Sequence, residues 1–221
     1  MLTSTLVKPP SYVVAATVLA ATPAVAQVYP SKQIELAVLD TGRNCPSDCR
    51  DRSLMPDATT LTIARRFKGP PDSGNGGYVC GAFAVAAGVE LRIRLLAPPP
   101  LDTPLALEHT ATDDLWRLRH LDQTVASGTP AALLQLEVPR APPYVQSVWA
   151  SQHYVGFRDH TFPDCFVCGP HRRRGDGMRI FPGLLDSGMV AAPWIPADDL
   201  DGGDGKVAVE FHWAALDCPG Y

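Results

Sequence analysis

The sequence predicts an α+β fold in which an antiparallel sheet wraps one central helix, followed by a second and partial unit of the same kind. Three observations predict it. Residues 78–87 are almost wholly apolar and small, so a helix there has no wet face and must be covered on most sides. Val89, Leu91, Ile93 and Leu95 alternate with Glu90, Arg92 and Arg94, which is the period of two of a half-buried strand. Further strand-like runs follow at short intervals, separated by Pro- and Gly-rich turns.

In chain order, residues 1–56 read as an N-terminal extension. Lys8, an apolar stretch over 12–22 and Ala24-Val25-Ala26 before Gln27 have the layout of a secretory signal. The competing reading is an upstream start, with the protein proper beginning near Met55. Either one leaves residues 1–26 outside the folded core. Pro9, Pro10, Pro23 and Pro30 bracket that apolar stretch and keep it below the roughly 18 to 20 residues needed to span a bilayer.

The first unit is expected over 57–143. A strand at 59–67 leads into the turn-rich loop 69–77 and then the helix, whose end suits Gly88. The alternating strand follows, and Pro98-Pro99-Pro100 ends it. Two more strands are expected at 105–110 and 115–121, and a last one at 131–138 after a turn at Ser127-Gly128-Thr129-Pro130. The Pro-rich stretch 139–143 marks the boundary with a second unit, 144–221. There, strands are expected at 178–185 and 189–195, a charged turn at Arg172-Arg173-Arg174, an acidic Gly-rich loop at 198–205 and a helix at 207–216. No strands follow to cover that helix, so the second unit reads as truncated.

The 221 residues are 46% hydrophobic and 19% charged, enough for one good core or two small ones. A net charge of −4 gives no basic footprint for nucleic acid or an anionic membrane. Six cysteines are too few and too scattered to dictate a disulfide scaffold.

Several stretches resemble, in order, actinobacterial proteins of the thioesterase-like hotdog superfamily, which are built as two fused hotdog domains. They are Phe67-Lys-Gly-Pro-Pro-Asp-Ser-Gly-Asn-Gly-Gly-Tyr-Val-Cys-Gly81, Phe162-Pro-Asp-Cys-Phe-Val-Cys-Gly169, Gly177-Met-Arg-Ile-Phe-Pro-Gly183 and Trp213-Ala-Ala-Leu-Asp-Cys-Pro-Gly220. The resemblance covers roughly residues 61–221. It implies a hotdog fold, an acyl-CoA or related thioester as ligand, a homo-oligomer or partner subunit, and a cytoplasmic protein, with secretion as the alternative if residues 1–26 are a signal.

Thioester hydrolysis needs a polarised carbonyl and an activated water. Gly76 and Gly77, with Tyr78 beside them, place backbone N–H groups at the expected helix N-terminus, where they can hold a carbonyl oxygen. Asn75 is expected either to orient water or to cap the helix. Asp217 resembles the helix-borne acid of hotdog thioesterases, and stands against a plain solvent-facing residue at a helix end. Arg172 and Arg173 suit coenzyme A phosphates, or merely a solvated turn.

No cofactor is expected, since neither a P-loop nor a dinucleotide-binding glycine pattern is present. Cys165-Phe166-Val167-Cys168 with His171 is half of a zinc site. Its other half is not evident, because Cys45 and Cys49 have a workable spacing but fall in the extension, so two buried or turn-forming cysteines are expected and no metal. Nothing sets His153, His160 or His171 against a thiol as a nucleophile pair. The rival to an enzyme is a catalytically silent hotdog module that binds acyl groups or pairs with another subunit. A secreted, disulfide-linked protein is a third reading.

Overall fold

A computed structural model of the protein describes residues 12–17, 60–132 and 139–220, the first segment by its backbone alone. The chain is α+β. Strands β1 (Tyr12–Thr17), β2 (Thr60–Thr62), β3 (Leu91–Leu95), β4 (Pro104–Thr110), β5 (Leu115–His120), β6 (Gln123–Pro130), β7 (Gly183–Leu184) and β8 (Met189–Trp194) form two antiparallel sheets. Helices α1 (Gly76–Ala87), α2 (Tyr144–Gln152) and α3 (Val209–Asp217) complete the set, with short 3-10 turns between elements.

The larger sheet has the order β2-β4-β5-β6-β3, every neighbouring pair antiparallel. Strands β4 to β6 form a meander, and β2 and β3 lie at opposite edges. Helix α1 joins those two edge strands and so crosses the sheet. Its Val79, Cys80, Phe83 and Ala87 pack with Leu91, Ile93, Leu105, Leu118 and Val125 in one buried core. The alternation in β3 is real: Leu91 and Ile93 are buried, Arg92 and Arg94 exposed. Gly88 ends α1 at φ +67°, the left-handed position that only glycine takes without strain.

The smaller sheet has the order β1-β8-β7, and α2 packs on β7 and β8. Helix α3 lies along α1 and runs antiparallel to it. The two backbones approach so closely that a Cβ on Gly77 would sit 2.5 Å from the Trp213 carbonyl oxygen, and one on Gly81 would sit 2.6 Å from the Glu210 Cα. The four-residue glycine spacing puts both on one face of α1 and lets α3 bury Phe211, Trp213, Ala214 and Ala215. The helix expected to lie uncovered at the chain's end is thus covered, on one side, by α1.

Other expectations are corrected. Residues 127–130 do not turn but complete β6, and Gly128 serves packing: a Cβ there would meet Leu91 Cδ1 at 3.0 Å. The β5–β6 turn comes earlier, at Leu121-Asp122, and residues 133–138 of the expected last strand lie outside the described residues. The first expected strand is shorter, giving way to a 3-10 turn at Arg65–Phe67. Within 178–185 only Gly183–Leu184 pairs in a sheet, because the Met178 and Ile180 N–H groups donate to the Phe166 and Val167 carbonyls instead. Helix α2 follows directly on the Pro-rich boundary, with Pro143 as its N-cap. Tyr12–Thr17, placed outside the core from sequence, pairs along its whole length with β8, from Tyr12 opposite Trp194 to Thr17 opposite Met189.

Two tests follow from the packing. Gly81→Ala is expected to lower stability by about 1–3 kcal/mol, because backbone must shift to admit the methyl. Gly76→Ala is expected to cost less, since its Cβ meets only the side chains of Asp217 and Leu95 at 3.3 Å. Urea denaturation decides it, and equal losses would refute the helix contact.

Burial lowers the pKa of His212 on α3 from its ordinary 6.5, with the nearby Glu210 opposing. The unfolded chain therefore binds more protons than the native one as pH falls through about 6.5, and stability drops in that window. His212→Gln is expected to flatten this part of the stability–pH curve, measured by urea titration between about pH 5 and 7. An unchanged slope would count against it.

Candidate functional site at the N-terminus of α1

Three segments distant in sequence meet where α1 begins. The first is the glycine-rich loop, drawn inward by backbone hydrogen bonds from Gly74 N to the Pro99 carbonyl (2.9 Å) and from Asn75 N to the Phe67 carbonyl (2.8 Å). A Cβ on Gly74 would lie 2.7 Å from Val79 Cγ2, so the loop cannot seat a larger residue there. Asn75 has β-region angles, and its Oδ1 accepts from the Tyr78 N–H at 2.9 Å. It is the N-cap of α1 and only 3% exposed. The cap reading of Asn75, rather than the water-orienting one, describes its oxygen.

The second segment is the end of α3. Asp217 Oδ2 accepts from the Gly77 N–H at 3.1 Å, placing a carboxylate on the positive end of α1. Asp217 and Gly77, singled out separately in the sequence, are therefore direct partners. Gly76 sits beside them. Tyr78 turns the other way: its ring stacks on Phe67 at 4.1 Å and lies near Phe166 and Phe211. Burial first, and Glu210 second, push its hydroxyl up to about 12, so it stays neutral.

The third segment is the Cys-x-x-Cys turn. Gly169 N donates to the Cys165 carbonyl at 3.0 Å, and a Cβ on Gly169 would lie 2.5 Å from three backbone atoms, so the turn requires glycine. Lys68 and the 178–180 segment pin it through backbone bonds to Phe166 and Val167. Cys165 and Cys168 are buried, and Cys218, directly after Asp217, brings a third sulfur. The three Sγ atoms lie within 4.8 Å of one another, with Cys165 and Cys218 at 3.8 Å. Asn75 Nδ2 donates to Cys165 Sγ (3.8 Å) and Cys218 Sγ (3.7 Å). Backbone N–H groups of Cys168 and Val167 also donate to Cys165, and the Tyr154 hydroxyl hydrogen-bonds Cys168.

These contacts set the charge within the cluster. Hydrogen bonds from the Cys168 and Cys218 thiols hold the Cys165 thiol well below its usual range. The same bonds raise Cys168 and Cys218, since each is the donor to a neighbouring anion. One sulfur carries negative charge readily and the other two resist it.

Arg172 does not present a free fork. Its Nε donates to the Asp164 carbonyl (2.8 Å), Nη1 to Asp176 (3.0 Å) and Nη2 to the Arg66 carbonyl (2.8 Å), and its side chain is 10% exposed. It latches the turn from within, while Arg173 is exposed on it. His171 is exposed beside Asp164 and is not part of the thiol cluster. Cys45 and Cys49 lie outside the described residues. Sequence reasoning missed Cys218 and Tyr154. The available signal was a third cysteine 53 residues beyond Cys165, just past an apolar helix.

No family model matches the chain, and no curated protein or solved structure is significantly similar to it. Among the described residues, no helix is long and apolar enough to cross a membrane.

Asn75→Ala is expected to destabilise the protein by about 1–2 kcal/mol through loss of the cap. Asn75→Ser, which can still cap but is too short to reach the sulfurs, is expected to recover part of that. Thermal melts of both variants check this, and an Asn75→Ala melt identical to the wild type would remove the cap assignment.

Proposed function

We propose that the chain is a thioesterase-like protein of the hotdog type that takes acyl-CoA or a related thioester at the N-terminus of α1, with Asp217 as general base. The observation that carries this reading is the 3.1 Å contact between the Asp217 carboxylate and the Gly77 N–H. It joins the two components hydrolysis needs: a base, and a backbone donor at a helix N-terminus. The sheet order supports the fold, since α1 joins and crosses between the two edge strands. The antiparallel packing of α3 on α1 supports a second unit set helix against helix.

In this reading the thioester carbonyl oxygen takes the Gly76 and Gly77 amides, displacing Asp217 from Gly77. The freed carboxylate accepts a proton from water as the water oxygen bonds to the carbonyl carbon. The tetrahedral intermediate collapses, the carbon–sulfur bond breaks, and the proton on Asp217 passes to the departing thiolate. Asn75 fixes the helix start, and Arg173 is exposed to meet coenzyme A phosphates.

The same contact favours a second reading. With Tyr78 N bound to Asn75 and Gly77 N bound to Asp217, two of the N–H groups at the helix end already have acceptors, as suits a silent acyl-binding or subunit-pairing module. Val145 and Trp149 on α2, at 76% and 49% exposure, with Val155 and Phe157 just beyond, give such a module an apolar surface for a second copy or another subunit.

Hydrolysis of acyl-CoA from short to long chains is the test. Asp217→Asn is expected to lower kcat by about 100-fold or more with KM changed little. Binding without hydrolysis at every chain length would leave the silent module, and no acyl-CoA binding would end the thioesterase and acyl-binding readings and leave subunit pairing alone.

A further inference from the structure

We propose that Cys165, Cys168 and Cys218 form a zinc site, three thiolates binding one ion that ties the end of α3 to the Cys-x-x-Cys turn beneath the N-terminus of α1. This rests on the sulfur geometry and is independent of thioester chemistry. A tetrahedral zinc with Zn–S bonds of about 2.3 Å has sulfurs about 3.8 Å apart. The Cys165–Cys218 separation is 3.8 Å, and all three sulfurs lie within 4.8 Å of one another. Small side-chain adjustments close the remainder.

The surroundings fit a negatively charged sulfur cluster. Asn75 Nδ2 faces Cys165 and Cys218, and the Cys168 and Val167 N–H groups face Cys165. The Tyr154 hydroxyl faces Cys168. Such donors hold metal-bound thiolates in place and offset their charge, as the positive end of α1 does. Buried thiolates without a counter-ion would be costly, whereas a dication neutralises two of the three charges. Among the described residues no carboxylate or imidazole belongs to the group, and an all-sulfur donor set selects zinc over magnesium or calcium. Tetrahedral zinc takes one ligand beyond these three sulfurs. A disulfide accounts for the cluster less well, because it would join two sulfurs and leave the third unused.

Binding is written as three thiolates plus Zn2+ giving the zinc trithiolate, with any thiol proton released to solvent and no oxidation. The test uses the full chain, purified under reducing conditions. Elemental analysis is expected to find about one zinc per chain. Cobalt substitution is expected to give sulfur-to-metal charge transfer in the near ultraviolet and tetrahedral bands in the visible. Cys165→Ser, Cys168→Ser and Cys218→Ser should each reduce bound metal to near zero, while Cys80→Ala, on the core face of α1, should leave it unchanged. Should the serine variants fail to fold, the wild type decides: a strong chelator is expected to lower its Tm, and added zinc to restore it. Folded protein that binds neither zinc nor cobalt would overturn the proposal, as would full metal retention in Cys218→Ser or a Cys165–Cys218 disulfide in native material.

Discussion

The close approach of α1 and α3 is the constraint on which the remainder depends. Gly77 and Gly81 remove the two methyl groups that would hold the helices apart, and Trp213 and Ala214 occupy the space. Without this contact, an almost wholly apolar α1 would be covered by the sheet on one side alone, and the buried face of α3 would meet water. Hydrophobic burial drives the pairing, and the absence of side chains sets its distance. An antiparallel arrangement at that distance also fixes which ends meet: the last turn of α3 falls beside the first turn of α1.

The polar chemistry is a consequence of that register. Helix α1 begins with N–H groups lacking intrahelical partners, and Asn75 and Asp217 supply oxygens to two of them. Because Asn75 is an amide, its nitrogen is left over once its oxygen is used. It turns to the sulfurs of Cys165 and Cys218, linking the helix start to the Cys-x-x-Cys turn. A Ser or Asp cap would satisfy the helix equally well and lack this second function, so the residue type at 75 answers two demands together.

Much of the stretch from β2 to β5 was legible because its signals are local. The alternation in β3, the uniform apolarity of α1 and the glycine at 88 each state their structure within a few residues. The misreadings arose where a local signal had another use. Ser127-Gly128-Thr129-Pro130 has turn composition, yet Gly128 is small because Leu91 and Ile93 crowd it across the sheet. Residues 178–182 have strand composition, but the Met178 and Ile180 N–H groups pair with the Cys-x-x-Cys turn. Tyr12–Thr17 is a short apolar run whose periodicity does not separate a signal core from a strand, and its pairing with β8 depends on residues more than 170 positions away. At the candidate site, Asp217, Asn75, Gly76 and Gly77 were visible singly. What makes them a site, and what adds Cys218, is the helix register, which no sequence window contains.

Asp217 and Cys218 are consecutive, and this links the two chemistries at the end of α3. The carboxylate faces Gly77 and the neighbouring thiol faces Cys165 and Cys168, so a bond that fixes one position restrains the other through a single peptide unit. The 3-10 turn Cys218–Gly220 continues directly from α3 and offers little slack between them. Whatever occupies the sulfur cluster therefore sets how firmly the carboxylate is held at the α1 N-terminus. A general base, the role proposed for Asp217, must stay within hydrogen-bond reach of its water, and a helix end otherwise frays. In the proposed mechanism, the thiol cluster thus restrains the position of the Asp217 carboxylate through the peptide unit that joins Asp217 to Cys218.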